Sequence, residues 1–196
     1  AFTVETKGGL VSIALHLDRH GDAAAATVEM GRATFQPSAL PCTLTVDELI
    51  QQPIEAAGRS LQFTGVSVGN PHCVIFKQPG ESWTREDLLT LGPALENHSL
   101  FPKRTNVQLA VPTGPKDIFI LIWERGAGET QASGSSSCAA ASAAVRLGLV
   151  KGPVTVKMPG GTLNIEVAQD FSLTMKGPVA EVARGALSPS FVRGLK

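Results

Sequence analysis

The chain has 196 residues, with 17 basic and 17 acidic side chains and a formal net charge of zero. Hydrophobic residues make up 43 % and charged residues 17 %; this is enough apolar material for a core, which excludes intrinsic disorder, and the charge balance lacks the basic excess of a nucleic-acid binder. No run approaches the roughly 18 consecutive apolar residues of a membrane-spanning helix, so the expectation is a soluble globular protein of one domain, or one domain and part of another.

The chain opens Ala-Phe-Thr-Val-Glu-Thr, without an initiator methionine or signal-peptide pattern, and reads like the middle of a strand. A fragment or processed product is therefore expected. Residues 2–17 alternate apolar and polar side chains on either side of Gly8-Gly9, as in a β-hairpin, and residues 26–35 repeat the strand pattern. Pro37, Pro41 and Pro53 punctuate the next stretch of chain, in which residues 46–57 read as a weakly helical connector. Residues 61–77 read as strand, tight Gly-Asn-Pro turn, strand. The Thr84–Asp87 pattern is close to a capping box, opening a helix over 85–98 with leucines at helical spacing.

Strands are expected at Asn106–Val111 and Asp117–Trp123, followed by a Gly/Ser-rich loop from Arg125 to Ser137. Cys138–Val150 is the clearest helix, almost entirely small and apolar, and so buried on all sides. The short alternating strands VTVKM, TLNIEV and FSLTMKG, with a Pro-Gly-Gly turn at 159–161, complete the pattern. The fold class is α+β: mostly antiparallel strands wrapped around one central helix of small residues.

Three cysteines, Cys42, Cys73 and Cys138, are too few and too scattered for a disulfide framework and point to a reducing compartment. No CxxC pair or histidine cluster supports a metal site. The glycine-rich loop entering the central helix leaves backbone N–H groups free at a positive helix end, a cradle for a carboxylate or phosphate, with Arg125 beside it. The alternative is a flexible loop whose serine caps the helix. Gly69-Asn70-Pro71-His72-Cys73 forms a turn presenting the Asn70 amide with the His72 imidazole, a group able to exchange a proton near neutrality or to serve as a satisfied structural residue. Cys73, flanked by Val74 and Ile75, reads as a small buried hydrophobe. Arg104-Thr105-Asn106 offers a further amide.

The strings GNPHCV, RTNVQ and ERGAGETQASGSSSCAAA, in this order and spacing, resemble the diaminopimelate epimerases, within the wider family of cofactor-independent amino-acid racemases that includes proline racemase. The resemblance runs along essentially the whole chain and covers the later two-thirds of such an enzyme. It implies two pseudo-symmetric halves, each a β-barrel around a central helix, the first incomplete here. Residues 1–53 would be the remainder of the first half, with 180–196 returning to it, and 54–179 the second half. The implied reaction interconverts LL- and meso-2,6-diaminopimelate in lysine and peptidoglycan precursor synthesis. One cysteine from each half acts, thiolate on one face and thiol on the other, because a planar carbanion must be reprotonated from the opposite face. A helix N-terminus favours the thiolate, and the same N–H groups hold the α-carboxylate.

By position, the resemblance makes Asn70 and Asn106 substrate-binding amides and sets Glu124 and Arg125 against the substrate's polar groups. Gly134 and Ser135 become the N–H donors to the α-carboxylate, and His72 and Glu124 assist the cysteine pair. Ser133 stands where the second catalytic cysteine is expected, and a hydroxyl is a far weaker acid than a thiol of pKa near 8.5. Cys138 matches a non-catalytic cysteine of the same block. The chain as it stands is therefore expected to be inactive as an epimerase. The alternatives are a relative using one base for isomerisation or dehydration, and a non-catalytic binding protein. The resemblance further implies a small amino-acid substrate, no cofactor or metal, no nucleic-acid or membrane partner, a cytoplasmic location and a homodimer when complete.

Overall fold

The computed structural model describes residues 1–6 and 9–195. In chain order it contains β1 (Phe2–Thr6), β2 (Gly9–Leu17), β3 (Ala23–Arg32), β4 (Gln52–Ala56), β5 (Arg59–Ser67), β6 (Pro71–Phe76), α1 (Arg85–Glu96), β7 (Asn106–Gly114), β8 (Asp117–Glu124), β9 (Gly128–Thr130), α2 (Gly134–Arg146), β10 (Val154–Met158), β11 (Gly161–Val167), β12 (Ser172–Pro178) and α3 (Pro189–Arg193). The expected first hairpin forms, β1 pairing antiparallel with β2; Gly8 of its turn lies outside the described residues.

The strands make one mixed ladder in the order β1-β2-β3-β12-β11-β10-β8-β7-β6-β5-β4, with β9 added to β8. Two pairs are parallel, β6 with β7 and β8 with β10. A parallel pair needs a crossover, and the helices supply it: α1 lies between β6 and β7 in the chain, α2 between β8 and β10. The strand pairings form an open path rather than a complete ring. One isolated bridge instead joins its two sides around α2: Thr34 N donates to Ser67 O at 3.0 Å and Ser67 N to Thr34 O at 2.8 Å.

Alternation along β6, β7 and β8 divides the core. Val74, Ala110, Ile120 and Ile122 face α2, in a cluster with Cys138, Ala140 and Ala144. Cys73, Ile75, Leu109 and Leu121 face the other way, onto Leu88, Leu91 and Leu95 of α1. Every residue of α2 from Ser136 to Ala144 is buried, which only small side chains permit when strands approach a helix from several sides.

Three expectations change. Residues 46–57 form no helix; Gln52–Ala56 is a strand in which Ile54 and Ala56 are buried between exposed Pro53 and Glu55. Ala57 and Gly58, with φ of 50° and 72°, turn it back into β5, and Pro53 is tolerated because β4 is an edge strand. Helix α2 starts at Gly134, four residues before the expected Cys138, because Ser133 caps it. It stops at Arg146, before Gly148 at φ 69°. The segment before α2 is not a free loop: β9 pairs with β8, and Gly160 N donates to Gln131 O at 2.7 Å.

Candidate active site

The site is assembled at the ends of β6, β7 and β8, on the face turned to α2. His72 pairs with Asn106, and Val107 with Trp123, so one step along the ladder sets Glu124 in the same row. In-register neighbours share a face, and the row is His72, Asn106, Glu124. Gly69, at φ 96°, makes the turn that brings Asn70 back beside its neighbour, with Asn70 Oδ1 3.0 Å from His72 Nε2.

His72 is wholly buried. Burial, reinforced by the Arg125 cation and opposed by the neighbouring Gln108 carboxamide, lowers its pKa to about 3. The ring is therefore neutral at physiological pH and acts as a hydrogen-bonding group rather than a cation. Asn106 is almost as buried, and backbone engages both ends of its amide. Nδ2 donates to Pro71 O at 2.8 Å, and Oδ1 accepts from Arg125 N at 3.0 Å. In this arrangement Asn106 ties the Gly-Asn-Pro turn to the Glu124-Arg125 turn. Among the described residues, the Glu124 carboxylate has no hydrogen-bond or ion-pair partner, while the exposed Arg125 guanidinium reaches only Lys103 O, at 3.2 Å.

Helix α2 supplies the other wall. Ser133 is extended (φ −156°, ψ 128°), its Oγ accepts from Ser136 N at 3.4 Å, and its carbonyl accepts from Ser137 N at 3.1 Å and Ser137 Oγ at 2.8 Å. The next two N–H groups, of Gly134 and Ser135, have no partner among the described residues, and the first turn carries no acidic side chain. Those N–H groups and the helix dipole leave partial positive charge at this end of the helix. A Cβ at Gly134 would stand 2.9 Å from Met175 Sδ, so glycine keeps this end of the helix close against β12.

Two residues that the sequence reading passed over organise these pieces. Glu96, 6 % exposed at the end of α1, accepts from Trp123 Nε1 at 2.8 Å, Arg104 Nη1 at 3.0 Å and Gly126 N at 2.8 Å. A carboxylate is unfavourable at a helix C-terminus, and the three donors offset this. They also anchor the turn carrying Arg125 and hold Arg104 in its left-handed conformation, φ 59°. Gln108, fully buried, donates to Ser136 Oγ at 3.0 Å and stands beside His72, linking the strand row to the start of α2. The available signal was parity: Asn106 and Gln108 are polar at i and i+2, on a strand face that should be core.

None of the cysteines belongs to the strand row or to the first turn of α2. Burial pushes the Cys73 thiol far up, with Cys42 adding to the effect, and the Cys138 thiol up to about 12. Both lie in the core, and Cys42 packs against the α1 cluster. Among the described residues no group of three histidine, cysteine or acidic side chains could hold a metal, and no helix is long and apolar enough to cross a membrane.

Residues 64–182 match the family described as diaminopimelate epimerase. The chain is 38 % identical over 185 residues to the diaminopimelate epimerase of Desulfitobacterium hafniense, a match covering 94 % of this chain and 64 % of that protein. It is 42 % identical over 188 residues to diaminopimelate epimerase 2 of a Nostoc species, covering 95 % of this chain and 63 % of that one. The chain thus spans a little under two thirds of the length of these relatives. Among solved structures, a predicted epimerase from Pseudomonas aeruginosa has the same fold at TM-score 0.62 and 21 % identity, covering 95 % of this chain and 66 % of that one. A hydroxyproline epimerase from Agrobacterium vitis does so at 0.61 and 14 %, covering 90 % and 55 %.

Proposed function

We infer function from the premise that this chain belongs to the diaminopimelate epimerase family: it forms one side of a cofactor-independent amino-acid epimerase that interconverts LL- and meso-diaminopimelate. The observation carrying this reading is the continuity between the strand row and the helix start. Asn70, His72, Gln108 and Ser136 follow one another from the Gly-Asn-Pro turn to the helix that Ser133 caps. A site of this kind binds an amino acid by its carboxylate and leaves the α-carbon facing the N-cap side chain.

In this reading the Gly134 and Ser135 N–H groups hold the α-carboxylate and stabilise the charge that develops on proton removal. Asn70, Glu124 and Arg125 meet the substrate's other polar groups, and His72 and Asn106 fix the geometry around the reacting centre. Ser133 occupies the position of one of the two proton-transfer groups, and the opposing group comes from sequence outside these 196 residues. Residues 1–53 and 180–196 belong with that other half, and 54–179 form the half described above. The exposure of Phe2, Leu10 and Leu17 on β1 and β2, and of Val182 and Leu187 after β12, supports this division. The enzyme is cytoplasmic and homodimeric when complete.

A serine hydroxyl at this position cannot rest as the anion at neutral pH, so the chain as given is inactive in inversion. The test tracks α-hydrogen exchange of LL-diaminopimelate in D₂O by proton NMR, with optical inversion read in the same sample, for the full-length gene product and its Ser133→Cys variant. Inversion rising by orders of magnitude in Ser133→Cys is the expected result. Neither exchange nor inversion in either protein overturns the reading. Exchange without inversion in both would favour the one-base alternative.

A further inference from the structure

Gln108 meets no substrate group in the functional reading above, on which this inference rests. Two contacts in its chain are made, His72 Nε2 to Asn70 Oδ1 and Gln108 Nε2 to Ser136 Oγ, both 3.0 Å. Between them two buried atoms, His72 Nδ1 and Gln108 Oε1, are unpartnered. An orphaned buried polar atom is destabilising, and these groups contain enough donors to avoid it. Since a carboxamide can present either end and a neutral imidazole either tautomer, the chain can be polarised in two directions.

In one direction the Asn70 amide donates to Nε2, Nδ1–H donates to Gln108 Oε1, and Gln108 donates to Ser136 Oγ. The Ser136 hydroxyl proton, at a fully buried position, then has no acceptor among the described residues. In the other direction the Ser136 hydroxyl donates to Gln108 Oε1, with that amide turned end for end. The Gln108 NH₂ donates to His72 Nδ1, and Nε2–H donates to Asn70 Oδ1. Each link now joins a donor to an acceptor, and the NH₂ of the partly exposed Asn70 has no partner among the described residues.

We propose that Gln108 is a positioning residue that holds His72 as the Nε2–H tautomer and thereby makes Asn70 a donor to a substrate carboxylate. The selectivity of one amide on the cleft is set by a residue two links behind it. Free cleft N–H groups at Gly134 and Ser135 and the Arg125 cation agree with an anion at this end of the site.

Long-range ¹H–¹⁵N NMR of the full chain, labelled at histidine and assigned with His72→Gln, reads the tautomer directly. At pH 7 the His72 ring should show Nε2 protonated and Nδ1 bare. In Gln108→Glu, whose carboxylate can only accept, the proton should move to Nδ1 or the ring become charged. A wild-type ring protonated at Nδ1 overturns the proposal without recourse to any variant, and so does an unchanged ring in folded Gln108→Glu. Asn70→Asp, which replaces the donor by an acceptor, should weaken diaminopimelate binding about tenfold or more; unchanged affinity overturns the carboxylate assignment. The tautomer is read without substrate, so wild-type protein with an Nε2–H ring and no affinity for diaminopimelate fails the functional reading and leaves the relay standing.

Discussion

Helices α1 and α2 begin alike and serve opposite ends. Each is capped by a hydroxyl, Thr84 or Ser133, accepting from the backbone three residues on. At α1 the cap closes on itself: Asp87 N donates to Thr84 Oγ1 at 3.1 Å, and Asp87 Oδ2 accepts from Thr84 N at 3.0 Å. That backbone hydrogen bond, with Arg59 and the Thr84 hydroxyl assisting and burial opposing, holds the Asp87 carboxyl at a pKa of about 2. The positive end of α1 therefore carries its own anion. At α2 no acidic residue stands in the first turn, and the N–H groups of Gly134 and Ser135 have no partner among the described residues. A helix start equipped with a carboxylate is a structural terminus; one without it is open to an external anion.

The largest effect that would sharpen this comparison comes with acid. The unfolded chain protonates His72 near pH 6.5, whereas the folded chain does so only near 3. The unfolded state thus binds more protons between these values, and stability, complete above pH 6.5, falls as pH drops through that window. Asp87 extends the loss from its ordinary value of 3.8 down to about 2. In urea titrations across pH, His72→Gln should flatten the upper part of the slope and Asp87→Asn the lower. An unchanged upper slope in His72→Gln would show that the ring titrates normally.

Packing separates the helices next. Leu91 of α1 is fully buried among large side chains, so Leu91→Ala should lower stability by about 2–5 kcal/mol through cavity formation. Ala140 of α2 is equally buried but closely surrounded by strands, so Ala140→Leu should cost about 1–3 kcal/mol by overpacking. Urea midpoints check both. A neutral Ala140→Leu would mean that the sheet is looser around α2 than its small residues imply.

The caps themselves give the smallest shifts. Thr84→Ala opens the capping box and should cost about 1 kcal/mol. Ser133→Asp supplies to α2 the anion that α1 already has, and should stabilise by about 0.3–1 kcal/mol while abolishing carboxylate binding in the cleft. Calorimetric binding of diaminopimelate alongside thermal melts would read both consequences. Retained affinity in Ser133→Asp would remove the helix end from the site.

The strands and helices whose side-chain periods agree with their burial were legible without coordinates. Thr84-x-x-Asp87 announces α1, and the run from Cys138 announces a buried helix, though four residues late, because Ser135 to Ser137 resemble loop until Ser133 is seen to cap them. Residues 46–57 misled because Pro53 and Ala57 break a pattern that only the edge position of β4 and the left-handed turn at Ala57-Gly58 explain. Asn70, Asn106, Glu124, Arg125 and Ser133 could be picked out as polar residues in glycine-rich turns or in family strings. That the Asn106 amide is engaged by backbone at both ends could not, since its partners are 35 and 19 residues away.

Local chemistry, then, determined where the chain turns and which helix is buried, because propensity, capping and alternation act over a few residues. Tertiary structure alone decided that the sheet stays open and is joined by Thr34 and Ser67, that His72, Asn106 and Glu124 share one row, and that Glu96 and Gln108 hold that row to its loop and helix. These depend on strand register and on burial, which are settled by contacts between segments far apart in the chain. The same separation explains His72: its sequence neighbours allow a proton-exchanging imidazole, and only the surrounding core makes it neutral.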